Sequence, residues 1–379
     1  MRAPDTTEHA PMNPLFRPRC TAVLLAIAAS AASARPGLND SGQTRCVDFK
    51  TYDTRSDCAG SGQDAAFGWD ARQPGGADGR AGLRLEKLDA AGQPLPASAP
   101  DWACVRDRRT GLVWEQKTAD GGLHDASRGY TQLGNGAEDD ASGLLAATRA
   151  QALCGFGDWR LPSRTELEGL LVFDGVEGAQ RLDADWFRPT TQHVHWSGSS
   201  AAVIGGSPRY RWAVNFYGGE SFWYSGEFGR FAVRLVRSDA PAREARWKPE
   251  GAEVLDRSTG LRWMRCPLGM GWDGNQCTGT ATTHLAARDA VQAAKAVARQ
   301  SGLPWRLPNP KELSTLVDTG RLYPAMDPVA FPGVPSLQLY SGTHWPDNPV
   351  YFWRLNTAVG QTALDFWGGQ ILLVRDEPR

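Results

Sequence analysis

Seven aromatic rings, with one amide and two carboxylates among them, lie between residues 212 and 228. Side chains alternate between the two faces of a strand, so only about half of these rings can enter a core. An exposed Trp or Tyr ring can cover the C–H face of a sugar while amide and carboxylate groups bind its hydroxyls. We therefore predict a sugar-binding surface on Asn215, Glu220, Trp223 and Tyr224. The alternative is a core hairpin whose surface rings have no ligand.

Residues that could bind a metal ion form a weaker pattern than the aromatic residues do. His193 and His195 fall on one side of a predicted strand, but no third ligand follows at a typical zinc spacing. Asp139-Asp140 and Asp273-Gly274-Asn275 offer the oxygen ligands that calcium prefers, without the spacing of an EF-hand loop. Hydrogen-bonded loop side chains are the simpler interpretation in each case. We expect no cofactor, with calcium as the one ion that these residues could contact.

The sequence lacks the common catalytic motifs. It contains no Gly-x-Ser-x-Gly elbow, no Gly-x-x-x-x-Gly-Lys phosphate loop and no His-Glu-x-x-His pair. Paired carboxylates for glycoside cleavage stay open as an alternative, because their separation in space is invisible in a sequence. We expect a protein that is not an enzyme.

One nine-residue motif occurs twice and organises the rest of the chain. Ser163 and Asn309 stand where a helix N-cap is expected, and Glu166 and Glu312 stand three residues later, where a capping box needs a carboxylate. Capping and burial explain these residue types without any catalytic use. The predicted structural residues are Trp159, Arg160, Pro162 and Glu166, with Trp305, Arg306, Pro308 and Glu312 in the second copy.

The flanking segments repeat in the same order as this motif. The spacing between equivalent residues falls slowly, from 149 residues at Thr110 and Thr259 to 141 residues at Trp212 and Trp353. Preserved order with a slow drift indicates one fold that was duplicated, with small changes of loop length. The second-copy positions that match the predicted sugar-binding surface are Asp365, Trp367 and Gln370.

The start of the chain predicts export. Residues 12–34 combine two arginines, a short apolar run and an Ala-Ser-Ala cleavage site, so we assign residues 1–34 to a signal peptide whose translation could begin at Met12. No later stretch is apolar for long enough to span a membrane. A formal net charge of −1 gives no reason to expect a nucleic acid partner. The protein is expected to be secreted, periplasmic or on the cell surface.

The cysteine count fits that destination. Seven cysteines less Cys20 of the leader leave six, an even number for an oxidising compartment. Six cysteines allow 15 pairings, and sequence alone does not choose among them. Local order favours Cys46 with Cys58, Cys104 with Cys154, and Cys266 with Cys277. Complete pairing would leave no thiol to act as a nucleophile.

The succession of motifs resembles a known family. Thr-Gly-Leu-Val-Trp at residues 110–114, the Trp-Arg-Leu-Pro-x-x-x-Glu-Leu motif, a Trp-Ser turn and a closing Val-Arg-x-Val-Arg are similar to the bacterial exported DUF1566 or Lcl C-terminal domain family. The resemblance covers residues 101–239 and 251–376, here named the first and second repeats. Residues 35–100 are expected to be a disulfide-tied segment and linker. A family variant around Trp263 and Trp272 also supports the Cys266–Cys277 pair.

The resemblance implies an α+β fold like that of C-type lectins, with two helices beside a twisted antiparallel sheet in each repeat. The namesake of the family is a collagen-like adhesin that binds sulfated glycosaminoglycans and trimerises. This chain has no collagen tract and no excess of positive charge. We therefore expect an exported, non-catalytic protein that binds a glycan or another cell-surface or matrix component. The alternatives are an accessory protein of a cell-envelope assembly and, less favoured, a hydrolase or formylglycine-generating enzyme.

Overall fold

The strands and helices follow the order that the repeats predict. The computed structural model describes residues 1, 37–68, 71, 79–80, 82–174, 180–202, 209–238, 246–365 and 368–377. Residues 2–34 of the predicted signal segment and Trp367 lie outside this part of the chain, as does the side chain of Asp365. The segment before the first repeat holds a 3₁₀ helix, Asp64–Ala66, and the strands β1 Cys46–Val47, β2 Thr54–Arg55, β3 Leu85–Leu88 and β4 Pro94–Leu95.

Each repeat then contributes two α-helices within the described residues. The elements of the first repeat are β5 Cys104–Asp107, β6 Leu112–Glu115, α1 Ala141–Ala150, a 3₁₀ turn Leu153–Gly155, α2 Arg164–Glu168, β7 Val194–Ser200, β8 Tyr210–Asn215, β9 Ser221–Ser225 and β10 Val236–Ser238. Those of the second are β11 Trp247–Glu250, β12 Glu253–Asp256, β13 Leu261–Met264, β14 Met270–Trp272, β15 Cys277–Gly279, α3 Ala287–Ser301, α4 Pro310–Thr315, β16 Gln338–Trp345, β17 Asn348–Asn356, β18 Gln361–Asp365 and β19 Val374–Asp376.

The sheets are antiparallel. One sheet of the first repeat has the order β10-β6-β5-β3-β4, and its counterpart in the second repeat has the order β11-β12-β13-β19. A six-stranded sheet in the order β16-β17-β18-β9-β8-β7 draws three strands from each repeat. Antiparallel sheets with two helices in each repeat agree with the α+β prediction. The likeness to C-type lectins stays a prediction.

The repeated motif forms the same capped helix in both repeats. The Ser163 and Asn309 side chains accept hydrogen bonds from the backbone N–H of Glu166 and Glu312, and each glutamate side chain accepts one from the N-cap residue in return. The first-repeat arginine, Arg160, binds both carboxylate oxygens of Glu166, at 2.8 and 2.7 Å. The second-repeat arginine binds its glutamate likewise. The arginine therefore holds the capping carboxylate in place.

The longer helix α3 begins at Ala287, after an extended segment. The backbone of His284 exchanges two hydrogen bonds with Gly369, each 2.8 Å long, which keeps this residue extended. The helix ends at Gly302, whose left-handed φ of 68° suits glycine at a helix C-terminus.

Three disulfides tie the chain together in the pairing that local order favours. They join Cys46 to Cys58, Cys104 to Cys154, and Cys266 to Cys277. The prediction of three local disulfides is therefore confirmed.

The segment before the first repeat contains structure where the sequence suggested a linker. Leu85 and Leu88 are buried in the core of the first repeat, which makes β3 part of its sheet. The earlier part also packs on the second repeat. The Thr343 hydroxyl donates to the Asp64 carboxylate over 2.6 Å, and Phe49 stacks on Phe352. One segment therefore contacts both repeats.

The two repeats meet at equivalent positions. Ser221 of β9 pairs with Thr362 of β18, and their hydroxyl oxygens lie 2.8 Å apart. Glu168 of α2 accepts a hydrogen bond from Ser314 of α4, the residue at the matching position of the second motif. Contacts between equivalent residues are the signature of a two-fold interface between identical subunits. The repeats therefore pack like a dimer within one chain, and residues 35–379 cluster as one compact unit.

Candidate functional site

The structure separates the predicted sugar-binding residues. Trp223 and Tyr224 are neighbours on β9, so their side chains leave opposite faces of the sheet. Trp223 faces Trp212 across the strand pair, and its ring lies 5.3 Å from that of Tyr210. Tyr224 lies on the other face, 5.5 Å from the Phe231 ring, and is 44% exposed. The two rings cannot form one platform, which corrects the interpretation from sequence.

Asn215 and Glu220 belong to the turn between β8 and β9. The Asn215 N–H donates to the Glu220 carbonyl over 2.9 Å. The Asn215 side-chain oxygen accepts from the Tyr217 N–H over 3.0 Å, so it stabilises the turn. Glu220 precedes Tyr224 by four residues, a distance of about 13 Å along a strand. These polar groups therefore do not surround the Tyr224 ring.

In the second repeat, the Gln370 amide takes part in internal hydrogen bonds. Its oxygen accepts from the Gln338 N–H over 3.0 Å, and its nitrogen donates to the Thr283 hydroxyl over 2.9 Å. The predicted second-copy surface consisted of this residue with Asp365 and Trp367. Both the oxygen and the nitrogen of the Gln370 amide are engaged within the protein, which supports a structural role for Gln370.

The candidate metal ligands are engaged in other contacts. His195 is buried, with its Nε2 atom 3.2 Å from the Thr190 hydroxyl, and burial lowers its pKa well below the usual value. The Asp140 carboxylate caps α1, and Asp273 accepts two backbone hydrogen bonds within its own turn. Within the described ranges, no three His, Cys, Asp or Glu side chains are grouped so that they could hold a metal ion.

Two exposed rings, Tyr224 and Phe228, belong to the last part of β9 and the loop that follows it. Phe228 is 76% exposed in the loop after this strand, near Tyr224. A hydrogen bond of 2.8 Å from Gln132 N–H to the Gly226 carbonyl brings the half-exposed Leu133 alongside the loop. We name Leu133, Tyr224 and Phe228 the β9 patch.

Ion pairs border the β9 patch. Glu227, within the loop, pairs with Arg209, and Arg230, at its end, pairs with Asp139 over 2.7 Å. The patch therefore combines exposed rings with charges that are neutralised in pairs. The sequence already contained Phe228 within the aromatic stretch, but the pattern did not show which rings would share a surface.

The two repeats match one family. The model of the Lcl C-terminal domain family matches residues 103–237 and 252–375. The chain belongs to the Lcl C-terminal domain family. The predicted presence of two copies is thereby confirmed, and the family is not a known enzyme family. A search of curated proteins finds no match to this chain. No helix in the described part of the chain is long and apolar enough to cross a membrane.

The first Lcl domain also contains a buried charged cluster that the sequence did not reveal. Glu115, at the end of β6, accepts hydrogen bonds from Lys117 over 2.6 Å and from Leu235 N–H over 2.7 Å, and its Oε1 atom lies 2.8 Å from His124 Nδ1. Burial acts to raise the pKa of Glu115, but the charge of Lys117 and the contact with His124 outweigh it and lower that pKa to about 2. Burial lowers the pKa of Lys117. Direct comparison of the two repeats is the signal that could have found this cluster.

The charged cluster and the β9 patch are both features of the first Lcl domain. The second domain lacks the charges of the cluster, and it differs from the first at the positions of the patch. Asp365 replaces Tyr224 at the equivalent position. The loop that carries Phe228 is also shorter in the second domain, because twelve residues lie between Trp223 and Val236 but nine lie between Leu364 and Val374.

Proposed function

We propose that this protein is an exported, non-catalytic binding protein that holds a glycan of a cell surface or matrix on the β9 patch of its first Lcl domain. The exposure of Tyr224 and Phe228 is the observation that carries this proposal. Large rings on a surface leave apolar area in water, and a flat sugar face is one partner that covers such area.

Paired charges around the patch favour a neutral glycan over a sulfated one. Arg209 and Arg230 each have a carboxylate partner, Glu227 and Asp139 respectively. A sulfated polymer binds best to a surface with an excess of positive charge. Hydrogen bonds from these charged groups to sugar hydroxyls need no such excess.

Export is supported by two independent features. The leader-like residues 12–34 have the layout of a secretory signal. The three disulfides are the kind of bond that persists in oxidising compartments outside the cytosol.

The proposal is tested by probing a glycan array with the purified protein and three variants. We expect Tyr224→Ala and Phe228→Ala each to weaken binding of the recognised glycan at least tenfold, because each removes a ring that covers the sugar. Tyr217→Ala is the matched control, since Tyr217 is 46% exposed but lies in the turn at the other end of β9. Unchanged binding by both patch variants, or an equal loss in the control, would contradict the proposal.

An accessory role in a cell-envelope assembly is the second candidate function. The observation that favours it is the exposure of Phe228 and Leu133, because exposed side chains without polar atoms are typical of protein contacts. In that case the array would give no signal, and a pull-down from envelope fractions would recover a partner that Phe228→Ala fails to recover.

A further inference from the structure

The buried charges of the first Lcl domain have apolar counterparts in the second. The comparison rests on matching hydrogen bonds: Glu115 N–H donates to the Leu235 carbonyl over 3.0 Å, and Met264 N–H donates to the Leu373 carbonyl over 3.0 Å. The charged or ionisable residues Glu115, His195 and Arg234 correspond to Met264, Leu339 and Leu372, and Lys117 corresponds to Cys266 of the Cys266–Cys277 disulfide. Leu339 and Leu372 are fully buried in an apolar core.

The second domain shows that this fold does not need the charges. Burying an ion pair removes both charges from water, and a well-packed apolar group at the same place is often no less stable. The two domains have the same fold, but the first has charged residues at these positions and the second does not. The charged cluster therefore needs an explanation other than folding.

A cavity of about 120 Å³ lies beside the cluster. The charged or ionisable residues of its lining are Asp101, Lys117, His124 and Arg188, and Trp102 and Leu153 are among its apolar lining residues. A cavity of about 150 Å³ holds a molecule the size of benzene. The space therefore suits a ligand of a few heavy atoms with one polar end.

Lys117 is the group best placed to receive that polar end. Its side chain is only 2% exposed, and it lines the cavity. An ammonium group has three N–H donors, and Glu115 accepts one of them. A ligand oxygen in the cavity could accept another.

The net charge of the buried cluster favours an anionic ligand. Lys117 and Arg234 bring two buried cations, whereas Glu115 brings one buried carboxylate. The exposed Asp101 and Arg188 at the cavity have opposite charges that cancel. Arg234 donates to the backbone carbonyls of Glu115 and Arg188, over 2.9 and 2.7 Å, and these carry no net charge. Buried His195 does not change this count, because its lowered pKa keeps it neutral. An anion would balance the remaining positive charge.

We propose that this cavity of the first Lcl domain binds a small carboxylate with a short apolar tail, its carboxylate on Lys117 and its tail between Trp102 and Leu153. The proposed site shares no residue with the β9 patch and takes a different class of ligand. It therefore goes beyond the proposed glycan binding.

Calorimetric titration of the full protein with propionate tests the proposal, and propionamide is the neutral match of the same shape. We expect propionate to bind at least tenfold more tightly than propionamide, because the amide cannot balance the buried charge. Equal affinities, or no binding of propionate, would overturn the proposal.

The double substitution Glu115→Met with Lys117→Met tests the residues. It removes both charges together and places methionine where the second domain has Met264, so a folded protein is expected. This variant should bind propionate at least tenfold more weakly, with an unchanged circular dichroism spectrum. Retained binding in the folded double variant would overturn the assignment.

If the double variant does not fold, the single substitution Arg188→Gln tests the proposed site instead. Arg188 is exposed at the cavity, so Arg188→Gln removes a charge there and one hydrogen bond, to the Lys117 carbonyl over 2.7 Å, and is expected to weaken propionate binding about threefold. Unchanged affinity in Arg188→Gln, together with equal binding of propionamide, would overturn the proposal. Tyr224→Ala should bind propionate normally, which separates this site from the glycan proposal.

Discussion

The indole of Trp353, in the second Lcl domain, lies against Gly219 of the first. A Cβ atom at Gly219 would be 2.8 Å from the ring. Trp353 belongs to the apolar core of the first domain, where it meets the Phe173 ring edge to face at 5.0 Å. The reverse contact is present too, because Gly360 of the second domain faces the ring of Trp212, the residue equivalent to Trp353. Each domain therefore leaves room, at a glycine, for a tryptophan of the other.

The first prediction concerns the space beside Gly219 that the Trp353 ring occupies. We expect Gly219→Ala to lower the free energy of unfolding by about 2–4 kcal/mol, because a methyl group would meet the Trp353 ring and the φ of +94° disfavours alanine. Gly111→Ala is the control: its φ is +73°, but nothing lies within 4 Å of the added carbon, so about 1 kcal/mol is expected. Urea denaturation measures both, and equal losses would argue against the packing role of Trp353.

The second prediction concerns the ion pair at the contact between the two domains. Arg164 is 1% exposed, stacks on the Trp212 ring, and binds the Glu168 carboxylate over 2.9 Å. Its other two guanidinium nitrogens have no hydrogen-bond partner among the described residues. Glu168→Ala would leave this charge buried and unpaired, at a cost of about 3–5 kcal/mol of stability.

The surface pair of Arg128 and Glu138 provides the control for that experiment. The Glu138 side chain is 83% exposed, so Glu138→Ala is expected to cost less than about 1 kcal/mol. Thermal unfolding of both variants gives the comparison. A loss in Glu168→Ala as small as that in Glu138→Ala would contradict the prediction.

The third prediction concerns pH. Burial, with Arg234 and Lys117 nearby, holds the pKa of His195 well below 6.5 in the folded protein. Below about pH 6.5 the unfolded chain binds a proton here that the folded protein does not bind, so acid favours unfolding. The unsubstituted protein is expected to lose stability between pH 6 and pH 5. In His195→Leu, which has the residue type of the equivalent Leu339, we expect that loss to be smaller by about 1.4 kcal/mol per pH unit.

Urea denaturation at these two pH values measures that change. His193→Leu is the matched control, because His193 is exposed two residues away. The control should keep the pH dependence of the unsubstituted protein. Identical pH dependence in His195→Leu would show that the buried imidazole does not govern acid sensitivity.

The sequence alone determined the features that depend on neighbours along the chain. The caps at Ser163 and Asn309 and the duplication follow from residue types at short, fixed spacings. The Cys46–Cys58 and Cys266–Cys277 loops are likewise short, so local order found their partners. Short-range hydrogen bonds and loop closure act the same way in any fold.

Tertiary structure decided which side chains share a surface. Trp223 and Tyr224 read as one aromatic platform, but a strand turns adjacent residues to opposite faces, and only packing fixes which face each takes. The contact of Trp353 with Gly219 and the burial of Lys117 depend on residues far apart in sequence. Spacing along the chain carries no record of those distances, so the candidate sites emerged only from the tertiary structure.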